Sequence, residues 1–161
     1  MAKRMILMVV QIFGFQLLGS VTNIEQCVGV ELTESVLATF PVCDTSTRQN
    51  CVLGFVKGVV AGDAICFLVP MSDDLRQEEF GVTNVSQITS AMSSEFHDFV
   101  VASGFSNHVV CAYSETVTND LFDVAIHLSS CKGDVCKTNE AHLAIRQIDD
   151  SWRIVGWEIE E

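Results

Sequence analysis

One tyrosine, four histidines, seven cysteines and several serines are the side chains of this chain whose types and spacing admit chemistry. Tyr113 is the first to weigh. A phenol beside a carboxylate or imidazole in an apolar pocket is how small proton-transfer enzymes tune an acid or base by burial. That chemistry needs a second polar group on the face that holds Tyr113. The two-residue period of strands instead puts Asp123, His127, His142 and Arg146 on the face opposite the apolar one. A one-residue slip in a strand would exchange its faces, so the assignment is conditional on register. Asp63 reads as a helix cap, and His97 and His108 as ordinary surface or partly buried histidines. Ser114, Ser129 and Ser130 have no Gly-x-Ser-x-Gly elbow to present them as nucleophiles, and no glycine loop cradles a phosphate. No catalytic residue, cofactor or metal is assigned.

The cysteines point to cross-links. Cys131 and Cys136 flank Lys132-Gly133-Asp134-Val135, so a bond between them would close a hairpin. Cys43 and Cys51 bracket a polar, turn-like loop and form a second candidate pair. No Cys-x-x-Cys occurs, and the spacings do not make a four-ligand zinc site. Cys66 and Cys111 lie in apolar runs where a free thiol packs as a small core residue, and Cys27 could be the odd one out.

Oxidised cysteines fit an export signal. Lys3 and Arg4 precede an apolar run, Met5 to Leu18, which is followed by small residues, so 1–22 reads as a signal peptide cleaved after Ser20 or Thr22. The run is shorter than the ~20 residues a bilayer span needs, and Gln11 and Gln16 interrupt it. A secreted, periplasmic or otherwise extracytoplasmic protein without a membrane span follows, in agreement with its cysteines. The whole chain carries a formal charge of −12, and removal of 1–22 takes two lysine or arginine residues and no acidic one, leaving 7 − 21 = −14. Such a field repels nucleic-acid phosphates, which excludes nucleic acid as a partner. Asn84-Val85-Ser86 is an N-glycosylation sequon, equally explained as a helix cap.

These groups are positioned by an α+β arrangement. From Ser106 onward four strand-length, β-branched runs alternate with turn residues: Val109 to Tyr113, Phe122 to Leu128, Ala141 to Ile148 and Trp152 to Ile159. They predict an antiparallel meander with one apolar face, carried by Phe122, Val124, Ile126 and Leu128 in its second strand. Helices must cover that face. Arg48 to Ala61 repeats Cys51, Val52, Phe55 and Val59 on one side and stops at Gly62, while Gly54 and Gly58 permit close approach to a neighbour. Asp63 caps a turn from Ala64 to Val69, and Ser72 starts a helix that Gly81 ends. Val85 to Ser103 is the longest helical signal, with Asn84 and Gln87 as a capping box and Gly104 at its end. Residues 23–47 are ambiguous between strand and short helix. The main domain is taken as 48–161.

A helix, Gly62-Asp63, further helices and a meander whose last strand opens on Asp149-Asp150-Ser151-Trp152-Arg153-Ile154 resemble the nuclear-transport-factor-2-like superfamily. The resemblance spans Arg48 to Ile159. It implies helices on the concave face of a curved sheet and a cone-shaped apolar pocket. We expect Phe55, Phe96, Phe99, Tyr113, Ile126 and Leu143 to line that pocket and a small apolar ligand to fit it. The family includes isomerases and dehydratases as well as non-catalytic binding modules, so fold alone does not choose. The reading taken is a binding or association module, with a small isomerase- or dehydratase-type enzyme as alternative. A cystatin-like inhibitor is a third reading, although Gln26-Cys27-Val28-Gly29 misses that family's loop by one position. Ala125, His127, Ala144, Arg146 and Trp157 are expected on the outer sheet face, where Trp157 would anchor a homodimer.

Overall fold

A computed structural model describes residues 20–41, 43–102 and 108–160. Residues 1–19 of the expected signal peptide and the expected terminal glycine, Gly104, lie outside the described residues. Five helices precede four strands: α1 (Glu34–Leu37), α2 (Arg48–Ala61), α3 (Ala64–Leu68), α4 (Asp73–Phe80) and α5 (Ser90–Ala102), then β1 (His108–Thr118), β2 (Leu121–Lys132), β3 (Val135–Ile148) and β4 (Ser151–Glu160). Local signals set most helix ends. The Asn50 N–H donates to the Thr47 hydroxyl ahead of α2, and Gly62 at φ 67° ends that helix in the left-handed conformation. Asp63 accepts from the N–H groups of Ile65 and Cys66 at the start of α3. Ser72 and Gly81 do the same work at the two ends of α4.

The signal at Val85 resolves differently from expectation. Asn84 and Gln87 do form a capping box, but it closes a 3-10 turn, Val85–Gln87, and Ile88 leaves it extended at ψ 110°. The helix proper starts at Ser90, so α5 is shorter than the periodicity predicts. Its stripe is also less buried than expected: Val100 is covered, whereas Phe99 is 62% exposed.

The strands form one open antiparallel sheet in the order β1-β2-β3-β4. Two-residue turns join them, and Asn119, Asp120, Asp149 and Asp150 all take positive φ, as a turn matched to strand twist demands. Across β2 and β3 the inward row is as expected, with Val124, Ile126, Leu128, Ala141, Leu143 and Ile145 all buried. The outer strands depart from simple alternation. A bulge at Cys111 separates the pairs Val110↔Leu128 and Ala112↔His127. Another at Val155 separates Ile145↔Ile154 from Ala144↔Gly156. Each extra residue turns the side chains beyond it to the other face.

The consequence in β4 overturns the expectation for Trp157. It pairs with the inward Leu143 rather than lying beside Ala144, and its ring meets Phe55, Phe67 and Phe80 at centroid distances of 6.3, 5.7 and 6.4 Å. Ala125, His127, Ala144 and Arg146 do lie on the outer rows, opposite the buried ones.

Residues 20–41 join the same core. Val21, Ile24, Cys27, Leu32, Val36, Leu37 and Phe40 are buried with the helices and the sheet. Gly29 and Leu32 donate backbone N–H groups to Val110 and His108, so this segment lies along the free edge of β1. At the opposite edge the Ser72 N–H donates to the Ile154 carbonyl and the Ile154 N–H to the Pro70 carbonyl. Both edges of the meander are thus partly paired, which protects it from adding a foreign strand.

Candidate functional site

An aromatic cavity forms where α5 and the ends of α3 and α4 meet β4. Its volume is 290 Å3, and Phe67, Phe80, Phe96, Phe99, Trp157 and Ile159 line it together with valines of α2 and α5. Phe67 is central: its ring stacks on Phe96 at 4.9 Å and meets Phe80 edge-on at 5.7 Å. It can sit there because α2 and α3 approach so closely that a Cβ on Gly58 would lie 2.5 Å from the backbone of Phe67. The Trp157 indole N–H is buried without an acceptor among the described residues. Every lining side chain is apolar.

Two of the expected pocket residues, Phe96 and Phe99, line this cavity, with the exposed Phe99 at its margin. Phe55, Ile126 and Leu143 do not; they are at most 1% exposed and fill the solid core between α2 and the sheet. Tyr113 belongs to a different group. Its hydroxyl donates to Glu115 Oε2 at 2.8 Å. Arg48 grips the same carboxylate through both oxygens, Nε to Oε2 and Nη2 to Oε1, each at 2.8 Å. The guanidinium lies 4.0 Å over the Phe122 ring, and Trp152 packs edge-on to Phe122, a cation–π arrangement that fixes the fork. Burial first, and then the bond to Glu115, push the Tyr113 phenol up to about 12. Glu115 was not foreseen as an inward carboxylate because the expected first strand ended at Tyr113; two residues further on, it shares the inward face of Tyr113, opposite the buried Val124.

Two further arginines serve the fold. Arg76, buried at 5% exposure, donates to the carbonyls of Leu68, Met71 and Thr83 and pairs with Asp73. Arg153 donates to the Val69 carbonyl at 2.7 Å. Together they satisfy carbonyls left open after the short helix α3.

On the outer sheet face His127 and His142 both turn Nε2 toward Glu140, at 3.4 and 3.0 Å. Glu160 joins them: ligand atoms of Glu140, His142 and Glu160 lie within 4.8 Å of one another. A shallow depression over Asp123, Ala144 and Gly156 adjoins this charged group. The exposed Asn84 keeps its sequon on the surface, its side-chain oxygen accepting from the Ser86 N–H.

Cys131 and Cys136 are joined across the β2–β3 hairpin, with Cα atoms 4.0 Å apart. The Cys43–Cys51 pairing is not formed. Helix α2 turns Cys51 inward, where its thiol donates to the Trp152 carbonyl at 2.8 Å, and Cys43 is likewise a free thiol. No family model, curated protein or solved structure matches the chain.

Most of the cavity could have been anticipated in part. Phe80 ends a predicted helix next to its stop signal, Gly81, and Phe67 lies within the predicted turn Ala64 to Val69, which marks both as packing residues. Trp157 could not, because nothing local announces the bulge at Val155.

Proposed function

We propose that this protein is a non-catalytic, exported binding module that takes a small apolar ligand in the aromatic cavity. The observation that carries the reading is a cavity of 290 Å3 walled by aromatic and aliphatic side chains alone. Apolar cavities of ~150 Å3 stay dry and take benzene, so this one suits a ligand of one or two rings or a short hydrocarbon branch. The carboxylate nearest Tyr113 argues against the isomerase-type alternative: both Glu115 oxygens are committed to Arg48 and Tyr113. Kinship with the nuclear-transport-factor-2-like superfamily belongs to the same proposal, supported by the Gly62-Asp63 junction between α2 and α3 ahead of the meander. Export is supported by the Cys131–Cys136 bond. Val21 is 2% exposed, so cleavage after Ser20 keeps the core whole, and N-terminal sequencing of the exported protein should begin at Val21. Self-association through the outer face has lost its aromatic anchor, since Trp157 turns inward. Ala125, Ala144 and Gly156 remain, rimmed by charge.

Toluene is a direct probe. In methyl NMR spectra it should shift Val59, Val100 and Ile159 and leave Val124 and Ile126 in place. It should also raise the unfolding free energy, by ~2.7 kcal/mol at a hundredfold excess over its Kd. A spectrum that does not change at saturating toluene, or changes equally in the solid core, would defeat the ligand reading.

A further inference from the structure

We propose that His127, Glu140, His142 and Glu160 form a binding site for a divalent transition metal of the zinc type on the outer face of the sheet. Strand register brings them together. His127 pairs with Glu140 across β2 and β3, Glu140 pairs with Glu160 across β3 and β4, and His142 lies two residues along β3 on the same face. Beyond the bulge at Val155, Glu158 falls opposite His142 and adds a third carboxylate to the group. All five residues sit on paired strands rather than loops, so the ladder fixes their backbones and side-chain rotation alone closes the site.

The distances are those of a ligand set. Zn2+ holds nitrogen and oxygen at about 2.0–2.2 Å, so the edge of a tetrahedron of such ligands is about 3.3–3.6 Å. His127 Nε2 and His142 Nε2 stand 3.4 and 3.0 Å from the same atom, Glu140 Oε1, and ligand atoms of Glu140, His142 and Glu160 all lie within 4.8 Å of one another. Hydrogen bonding explains this less well, because 3.4 Å is too long for an N–H···O bond and both rings turn to one oxygen. The side chains of His127, Glu140 and His142 are a third to a half exposed, which admits an ion from solvent. His142 and Glu158 also border the shallow depression over Gly156, which leaves room beside the ion for water.

Donor type selects the metal. Two imidazoles with a carboxylate suit Zn2+, whereas Mg2+ and Ca2+ take oxygen ligands. Charge agrees with this choice. Glu140 and Glu160 are directly opposite one another, a like-charge pairing that weakens a sheet, and a dication between them turns that repulsion into attraction. The site shares no residue with the aromatic cavity, so it stands or falls independently of the ligand proposed there.

The test is a calorimetric titration of the full chain with zinc chloride, the exposed Cys111 thiol first blocked with iodoacetamide so that it does not compete. One Zn2+ should bind per chain. In NMR spectra the imidazole Nε2 resonances of His127 and His142 should move and those of His97, on α5, should not. His142→Ala and Glu140→Gln should each weaken binding at least about tenfold, since losing even a hydrogen-bond partner of a ligand costs about 10–100-fold. His97→Ala is the control and should leave the affinity unchanged. A large excess of Ca2+ or Mg2+ should not displace the Zn2+. Failure to bind stoichiometrically, unmoved His127 and His142 resonances, or displacement by Ca2+ would overturn the proposal on the parent protein alone, whether or not the variants fold; an affinity that folded variants leave unchanged would overturn it as well.

Discussion

Replacing Gly58 with alanine sets two effects of known sign against each other. Taken as a helix substitution, it should stabilise α2 by roughly 1 kcal/mol, because glycine is a poor helix residue. The packing says the opposite. The added Cβ would stand 2.5 Å from the N, Cα and Cβ of Phe67, where ordinary contacts begin at 3.4 Å. Those are backbone-linked atoms that no side-chain rotation moves away, so α3 must retreat by about 1 Å. Overpacking of this kind costs about 1–3 kcal/mol. The retreat also loosens the Phe67 contacts with Phe55, Phe96 and Trp157, each worth about 0.5–1.5 kcal/mol when intact. The net expectation is a loss of about 2 kcal/mol, or a thermal midpoint roughly 5–10 °C lower. Gly54→Ala is the comparison. There the Cβ would meet the Pro70 Cγ at 2.9 Å and the Cys66 carbonyl at 3.4 Å, and a proline ring can repucker, so the loss should be smaller. Urea titrations of the three proteins measure both. A Gly58→Ala protein as stable as the parent, or more stable, would refute the close approach of α2 and α3.

Trp157→Asp should abolish the folded circular dichroism signal, since it trades three ring contacts for a carboxylate among phenylalanines, a change of ~4 kcal/mol or more; a folded variant with the parent midpoint would mean that Trp157 faces outward after all. Arg48→Ala leaves Glu115, whose side chain is 18% exposed, with Tyr113 as its remaining partner and should cost about 1–3 kcal/mol. A double-mutant cycle with Glu115→Gln should recover most of that as coupling, and additive losses would show that the pair does not interact. Stability should fall on the alkaline side. Burial pushes the Cys27 and Cys51 thiols up to about 11 and about 12, alongside the Tyr113 phenol at about 12. All three bind their protons more tightly when folded, so their contribution is complete below the unfolded values of ~8.5 and ~10 and is lost as pH rises toward 11–12. Tyr113→Phe should flatten the part of a urea-midpoint profile above pH 10, and an unchanged profile would count against the buried phenol.

The parts of this fold that were legible in the sequence are those decided within a few residues. Asp63, Ser72, Gly62 and Gly81 stop or start helices through bonds to their own neighbours, and the Gly54–Gly58 spacing announces a close approach that only glycine permits. The turn pairs Asn119-Asp120 and Asp149-Asp150 marked the meander for the same reason. What escaped was set by the partner across a ladder. Whether β4 has an extra residue opposite Ala144 depends on what β3 offers there, so Trp157 was assigned to the wrong face. Glu115 escaped for a simpler reason: the first strand was ended at Tyr113, two residues short of it. The Asn84–Gln87 capping box was read correctly as a box, but whether it opens an α-helix or closes a 3-10 turn depends on Ile88, and nothing in the local pattern shows that Ile88 is extended. Spacing pairs Cys43 with Cys51, but α2 turns the Cys51 thiol to the Trp152 carbonyl, a partner far along the chain that no local spacing shows.

The two bulges leave the sheet with an unusual mutational grammar. A point substitution can change what a side chain is, but in β4 the number of residues set against β3 decides where it goes. Deleting Val155 would restore plain alternation and still leave Gly156 opposite Ala144 and Trp157 opposite the inward Leu143, whereas closing the bulge with Val155 retained would carry Trp157 to the solvent side. Deleting Cys111 would likewise leave Tyr113 and Glu115 opposite Ile126 and Val124. Both are single-codon deletions at strand positions where substitutions are cheap as well, since neither side chain belongs to the buried core. In descendants of this sequence, drift in the identity of those two residues, and the loss of either, is therefore compatible with the fold.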